Sequence, residues 1–311
     1  MVRSMAQTST IEPPAQVRCA WRFSVDGPFR RLCQGCALVV GLLMVAFFIQ
    51  LTAASWEAWR TFGFGFLWSQ EWDPVAGLFG AWPAIVGTLE TTAIALAVAL
   101  PLAFVSALWI VDAPPALSRL LGQAIDLLAA IPSIIYGMWG LFVVCPLMQE
   151  LWWRLGIDTN GFGVLTAGLI LALMILPYIC AVMRDVLRMT PPMLRESAFG
   201  VGCTRWEVAR DILLRYGARG LLGGVFIGLG RALGETMAVL FVAGNVIAVP
   251  ASPLEGCTTI AATLANNFAE ADGLQRAALF ALGLILLTMA FAIQVAAQYY
   301  LTLTKAKRGE R

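Results

Sequence analysis

The residues that could do chemistry are few, and two stand out: Arg231 and Glu235, four apart in the run Gly230-Arg-Ala-Leu-Gly-Glu-Thr-Met-Ala-Val239. On a helix that spacing places both on one face. An arginine at the centre of a membrane helix costs about 2.5–3.5 kcal/mol on insertion scales, so it turns toward an aqueous path or toward a partner. Two readings therefore stand side by side: a charge lining a translocation path, or a mutually satisfied pair locking this helix to a neighbour. The planar guanidinium fork suits phosphate, but an arginine beside a glutamate is close to neutral overall and does not by itself identify an anion path. Enzyme chemistry finds less support. The 311 residues contain no histidine, which removes the commonest general base, metal ligand and pH switch together. With no H-E-x-x-H and no G-x-S-x-G, an intramembrane enzyme lacks its nucleophile and base. Among the seven cysteines, Cys33 and Cys36 form a lone C-x-x-C with no second pair to complete a zinc site. They read as small residues entering a membrane helix.

The elements that must carry these residues follow from composition. The chain is 59% hydrophobic and 13% charged, against about 25% charged in soluble domains. A net charge of +2 gives no case for a nucleic-acid partner. Six apolar runs are long enough to cross a bilayer as helices, at 36–54, 84–111, 120–147, 162–183, 221–244 and 274–301. The first is too long for a signal-peptide core and reads as an uncleaved helix. The expected organisation is an all-α polytopic membrane protein: a tail over 1–35, a first helix over 36–54, an outer loop over 55–83, a transmembrane domain over 84–301 and a tail over 302–311. Pro101, Pro132 and Pro177 fall inside the second, third and fourth spans, where kinks rather than ends are expected.

Loop charge sets the orientation. Seventeen Lys and Arg fall in the two tails and the 2–3 and 4–5 loops, against three (Arg60, Arg154, Arg276) on the other side, with Arg231 inside a span. That split puts both termini in the cytoplasm. Five tryptophans between Trp56 and Trp82 then lie in the first outer loop, as an aromatic belt at the headgroups or as a docking surface. On this topology Cys257 lies in the last outer loop and Cys203 in an inner one. Glu90 and Asp126 fall near span ends, where each is hydrated or paired, and neither belongs to the candidate site.

The inner loop at about 184–219 is the most informative stretch outside the membrane. Thr190 is placed to cap a helix whose first turn holds Pro191 and Pro192, and Gly200 and Gly202 end it. Thr204-Arg-Trp-Glu207 is a capping box opening a second helix. Two short helices about a glycine elbow, carrying Trp206 and mixed charges, suit protein docking. An ordinary connecting loop fits the capping pattern equally well. Beyond it, Gly220, Gly224 and Gly228 recur at a spacing that lets helices approach closely. Gly228-x-Gly230 lacks the preceding strand that a nucleotide-binding loop requires.

The segment Glu196-Ser197-Ala198, then Gly202, then Ile212-x-Leu214 resembles the EAA motif of binding-protein-dependent ABC importers. The family pattern reads E-A-A, three residues, G, nine residues, I-x-L-P, and the spacing matches throughout. Ser197 replaces an alanine and Arg215 stands where proline is usual. The resemblance implies a type I ABC importer (MetI-like) permease core in which this loop docks on an ATP-hydrolysing subunit. Glu196, Ser197, Ala198, Gly202, Ile212 and Leu214 would then couple ATP hydrolysis to the membrane helices. The Gly230–Val239 run with Gly244-Asn245 is similar to the PstC-type permeases of phosphate importers. So are Trp72-Asp-Pro-Val75 with Phe79-Gly80, Gly87-Thr-Leu-Glu-Thr91 and Ile131-Pro-Ser-Ile-Ile-Tyr-Gly-Met-Trp-Gly140. That likeness covers roughly residues 60 to 300. It implies a non-catalytic half-pore in a bacterial inner membrane, with Arg231 and Glu235 on the path. The implied partners are a PstA-like permease, two PstB-like ATPases that hydrolyse ATP with Mg, a PstS-like periplasmic phosphate-binding protein, and lipid. No cofactor is expected on this chain. A permease for sulfate or molybdate, and an ion-coupled secondary transporter using Glu90, Asp126 and Glu235, are the competing readings.

Overall fold

A computed structural model describes residues 26–307, with side chains over 27–299. The expectations for Arg3, Arg18, Arg22, Arg308 and Arg311 therefore lie outside the described residues. Every regular element among those described is helical, and six helices are long and apolar enough to span a bilayer.

The first of these, α1 (Asp26–Ala54), begins ten residues before the expected start. Its one proline, Pro28, sits in the opening turn, where a missing N–H costs nothing. The portion up to Ile49 forms a unit of its own, and the remainder of the chain forms a second.

Within the second unit, a short helix α2 (Trp56–Phe62) and a 3-10 turn fold the segment after α1 into a small aromatic core. Phe66 and Phe79 are buried there, and Phe62 makes ring contacts with both. Trp56, Phe64 and Trp68 remain exposed. Helix α3 (Trp82–Asp112) carries Ala95, Ala99, Ala103 and Ala107 at four-residue spacing, all fully buried. That alanine seam allows close packing against α6 (Val164–Arg188), which contributes Ile170, Met174, Ile175 and Ile179 to the same core. Pro101 and Pro177 lie inside their helices as expected.

Two expected spans are broken. The third does not run from 120 to 147. The chain instead forms α4 (Pro115–Ala130), an extended step at Ile131 and Pro132, and α5 (Ser133–Arg154) with a π-turn over Gly140–Val144. Ile131 is pushed out of the helical region because it precedes proline, with ψ at 127°. Pro132 brings no N–H to continue the ladder. Tyrosines bond carbonyls at this break: Tyr178 donates to Ala129 O at 2.6 Å, and Tyr136 donates at 2.9 Å to Leu128 O, which also accepts the Ile131 N–H at 3.3 Å. This is how irregular backbone survives away from water.

The fifth span is not continuous to Gly244. Helix α8 (Arg205–Leu233), with a π-turn over Val208–Leu213, stops at Gly234, and a short helix α9 (Met237–Val242) follows. Glycine weakens the ladder at that point. The carboxylate of Glu235 accepts the N–H of Ala238 at 3.3 Å, which favours a new start. The two breaks are neighbours in space, since a Cβ on Gly137 of α5 would lie 3.0 Å from the Ala238 Cα of α9.

The glycine row on α8 faces α6. A Cβ on Gly228 would lie 2.5 Å from Ile179 Cδ1, and one on Gly220 2.5 Å from Val186 Cγ2. After α9 the chain returns through residues 243–259 to α10 (Ile260–Asn267) and the last helix, α11 (Gly273–Lys307). The N–H of Ile260 reaches the Thr88 hydroxyl on α3 at 3.0 Å, and the Thr258 carbonyl packs onto Gly87.

Candidate functional site

Arg231 sits in the last turn of α8, just before the break. Its guanidinium carbon lies 4.6 Å from the centroid of the Tyr178 ring on α6. Its buried Nε finds no hydrogen-bond partner among the described residues. Glu235 is 8% exposed and is engaged with the amide of Ala238. The two charges make no ion pair with each other among the described residues, so the locking pair allowed by their spacing does not form. The reason is local: α8 ends between them, and the four-residue face they would share is lost at Gly234.

The result is a cation held against a neutral ring, with part of its donor edge unspent, at a helix discontinuity. A ring contact draws on the quadrupole of the aromatic face and does not neutralise the guanidinium, whose charge and remaining N–H groups are what an oxyanion binds. The sequence pattern singled out Arg231 but not Tyr178. A signal was present: a tyrosine in the middle of an apolar span must place its hydroxyl on some partner.

The second constellation is the loop between α6 and α8. Helix α6 continues to Arg188, so Arg184 and Arg188 belong to its last turns rather than to the loop. Arg184 pairs with Asp126 of α4 at 3.5 Å and Arg188 donates to Ser118 at 3.0 Å, so Asp126 is paired as expected. Helix α7 (Pro192–Gly200) starts after Pro191, and Thr190 does not cap it; its hydroxyl is buried without a partner among the described residues. Gly200 is the last residue of the helix, and Gly202, two residues on, closes it with a φ of +94°. Gly202 N–H donates to Phe199 O at 3.0 Å and Cys203 N–H to Ala198 O at 3.1 Å, the pairing of a Schellman close. The expected capping box forms: Glu207 N–H donates to Thr204 Oγ1, and Thr204 N–H to the Glu207 carboxylate at 2.7 Å.

In this knob Glu196 and Ser197 are exposed, Ala198 is buried, and Ile212 and Leu214 are half-buried on α8. Met189, Met193, Val201 and Trp206 are all exposed apolar side chains of this loop. Arg195 ties α7 to the end of α3 through Asp112 at 3.6 Å, a link the sequence did not suggest. At the opposite end, Glu90 lines a cavity of about 280 Å³ with Val164, Pro250 and Ser252.

The architecture is shared with solved importers. The transmembrane chain of a bacterial alginate ABC transporter, crystallised with a periplasmic protein bound to an alginate pentasaccharide, matches with a TM-score of 0.61 at 18% identity. It covers 89% of this chain and 96% of its own. An inward-facing MetNI methionine ABC transporter matches with a TM-score of 0.52 at 18% identity, over 72% and 94%. At such identities the likeness is one of fold: a type I ABC importer permease, MetI-like. The family of binding-protein-dependent transport system inner membrane components matches over residues 99–302. The phosphate transport system permease protein PstC of Pasteurella multocida is 44% identical over 91% of this chain and 93% of its own. That of Haemophilus influenzae is 43% identical over 92% and 96%. The chain belongs to the PstC family of ABC importer permeases. As a PstC-family permease it is a multi-pass inner-membrane protein, and its relatives are transport subunits rather than enzymes.

Proposed function

We propose that this permease forms half of the pore of an ATP-driven phosphate importer, with Arg231 as the anion-attracting charge on the path. The family supports the substrate class, and the observation that carries the site is Arg231 itself: a guanidinium over the Tyr178 ring, unpaired with Glu235, its Nε without a partner among the described residues, at a helix break. Glu235 serves by capping α9 and so holding the break in shape. The 189–204 knob, with Glu196, Ser197, Ala198 and Gly202 and with Ile212 and Leu214 behind it, docks on a PstB-like ATPase. That partner binds and hydrolyses ATP with Mg; this chain holds no cofactor. A PstA-like permease completes the pore, and a PstS-like binding protein delivers phosphate to the opposite face. Both termini lie in the cytoplasm.

The test is reconstitution of the four-component complex in proteoliposomes, scoring assembly, ATP hydrolysis and phosphate uptake separately. Arg231→Gln should lower uptake by on the order of tenfold or more, the worth of one charge-assisted contact in a dry site, while assembly persists. Glu235→Gln, which can still accept from Ala238, should be milder. The Arg231→Gln/Glu235→Gln double variant should resemble Arg231→Gln, because no pair exists to be relieved. Full uptake in a well-assembled Arg231→Gln complex would sink the assignment. Sulfate taken up as fast as phosphate would move the substrate to another oxyanion.

A further inference from the structure

We infer that Tyr178 is the positioning residue for Arg231: its ring holds the guanidinium in place without neutralising it, and its hydroxyl fixes the ring to the end of α4. The inference rests on the proposed role of Arg231 and adds the means by which that charge is kept available.

Three observations converge on Tyr178. Its ring lies under Arg231, with 4.6 Å from centroid to guanidinium carbon. Its hydroxyl donates to Ala129 O at 2.6 Å, a carbonyl freed where Ile131 and Pro132 interrupt the helix. Its own position, directly after Pro177 and roughly midway along α6, belongs to the element most deeply packed in the fold. One side chain thus touches both discontinuities, the α4–α5 break through its hydroxyl and the α8–α9 break through Arg231.

The chemistry follows from how a guanidinium can be satisfied. Pairing with a carboxylate uses its in-plane donors and cancels its charge, leaving little for a passing anion. Contact with an aromatic face draws on the ring quadrupole and keeps the charge. Glu235 is the nearest acidic residue in sequence, and its carboxylate is engaged with Ala238. Without the ring, Arg231 loses what holds it away from that carboxylate, and pairing would silence both. Tyr178 therefore acts through Arg231 rather than on the substrate.

The experiment uses the full reconstituted complex with inorganic phosphate and reads phosphate moved per ATP hydrolysed. Tyr178→Leu should lower that ratio by on the order of tenfold, the size of a desolvated cation–π contact, while hydrolysis stimulated by the binding protein continues. Tyr178→Phe keeps the ring and should recover most of the ratio. In an Arg231→Gln background, Tyr178→Leu should add no further loss. If Tyr178→Leu does not assemble, Tyr178→Met, which also lacks a ring, is scored by the same ratio. The inference is overturned by a parental ratio in the ringless variant, by a loss in Tyr178→Phe equal to that in Tyr178→Leu, or by additive losses with Arg231→Gln. Hydrolysis and uptake falling together, with no rescue by Phe, would mark Tyr178 as packing alone. Parental uptake in Arg231→Gln is a separate result that removes the charge from the path, and a persisting Tyr178→Leu defect would then show a role independent of Arg231.

Discussion

At the scale of single residues, Gly202 shows how narrow a requirement can be. A Cβ there meets no atom within 4 Å, so space is not the constraint. The backbone is: φ of +94° lies where L side chains pay about 1–2 kcal/mol, more for β-branched ones. This separates two explanations of any defect. Gly202→Asn should be tolerated best, Gly202→Ala should be intermediate and Gly202→Val worst, in the order of left-handed tolerance rather than of size. The measurement is uptake relative to ATP hydrolysis in the reconstituted complex. A Gly202→Val permease that assembles, stimulates hydrolysis and transports like the parent would end the coupling role for this turn. The glycine spacing and the Thr204–Glu207 box were legible because each is a local rule. Thr190 was misjudged by the same logic. Pro191 takes the cap position itself, and the threonine hydroxyl turns into the protein.

Elements behave differently, because what decides them is a neighbour. The seam between α6 and α8 was readable from Gly220, Gly224 and Gly228, but not which of the three is most tightly met. Gly228 and Gly220 have no room for a methyl group, while Gly224 has ordinary contact distance to Val182 and Gly223 faces open space. Gly228→Val should therefore lower the amount of assembled permease in the membrane, at a cost of about 1–3 kcal/mol for overpacking. Gly223→Ala should leave that amount at or slightly above the parent's, since alanine is the better helix former. Ile179→Ala, placed with Gly228→Ala, should recover part of the loss if the clash is the cause. Equal abundance of Gly228→Val and Gly223→Ala would refute the seam. The two helix breaks were the features that sequence alone did not yield. Pro132 and Gly234 both gave signals, yet in an apolar run each is as compatible with a kink as with a stop. At Pro132 the outcome depends on whether the freed Ala129 carbonyl finds a partner, and that partner, Tyr178, is supplied from another helix. For the same reason the face shared by Arg231 and Glu235 looked sound at four-residue spacing and dissolved once α8 ended between them.

For the whole molecule, the proposed orientation has a direct chemical test. The charge bias predicts the 189–204 knob inside, and thiol chemistry can test it. Cys257 is not a usable reporter for the other side, since it is fully buried and its N–H is bonded to Ala243 O. Val75, at 98% exposure in the loop before α3, is the better position. A Val75→Cys variant should react with an impermeant maleimide on intact cells, in excess of the parent. Cys203, half-buried beside Gly202, should gain label only after permeabilisation. Label on Cys203 in intact cells would invert the topology.

The contact between Thr88 and Ile260 sets an order of events. The two residues are 172 apart, so α3 leaves the ribosome long before the backbone that finishes its upper end exists. Meanwhile the Thr88 hydroxyl donates to Ala84 O of its own helix at 2.6 Å, leaving a lone pair rather than a stranded proton to wait. Gly87 keeps the adjoining notch empty for the Thr258 carbonyl. A nascent chain halted before Cys257 can thus insert its earlier helices at little cost, yet it holds a socket with nothing in it. Filling of that socket is a late step in synthesis, timed by the arrival of the 257–260 segment.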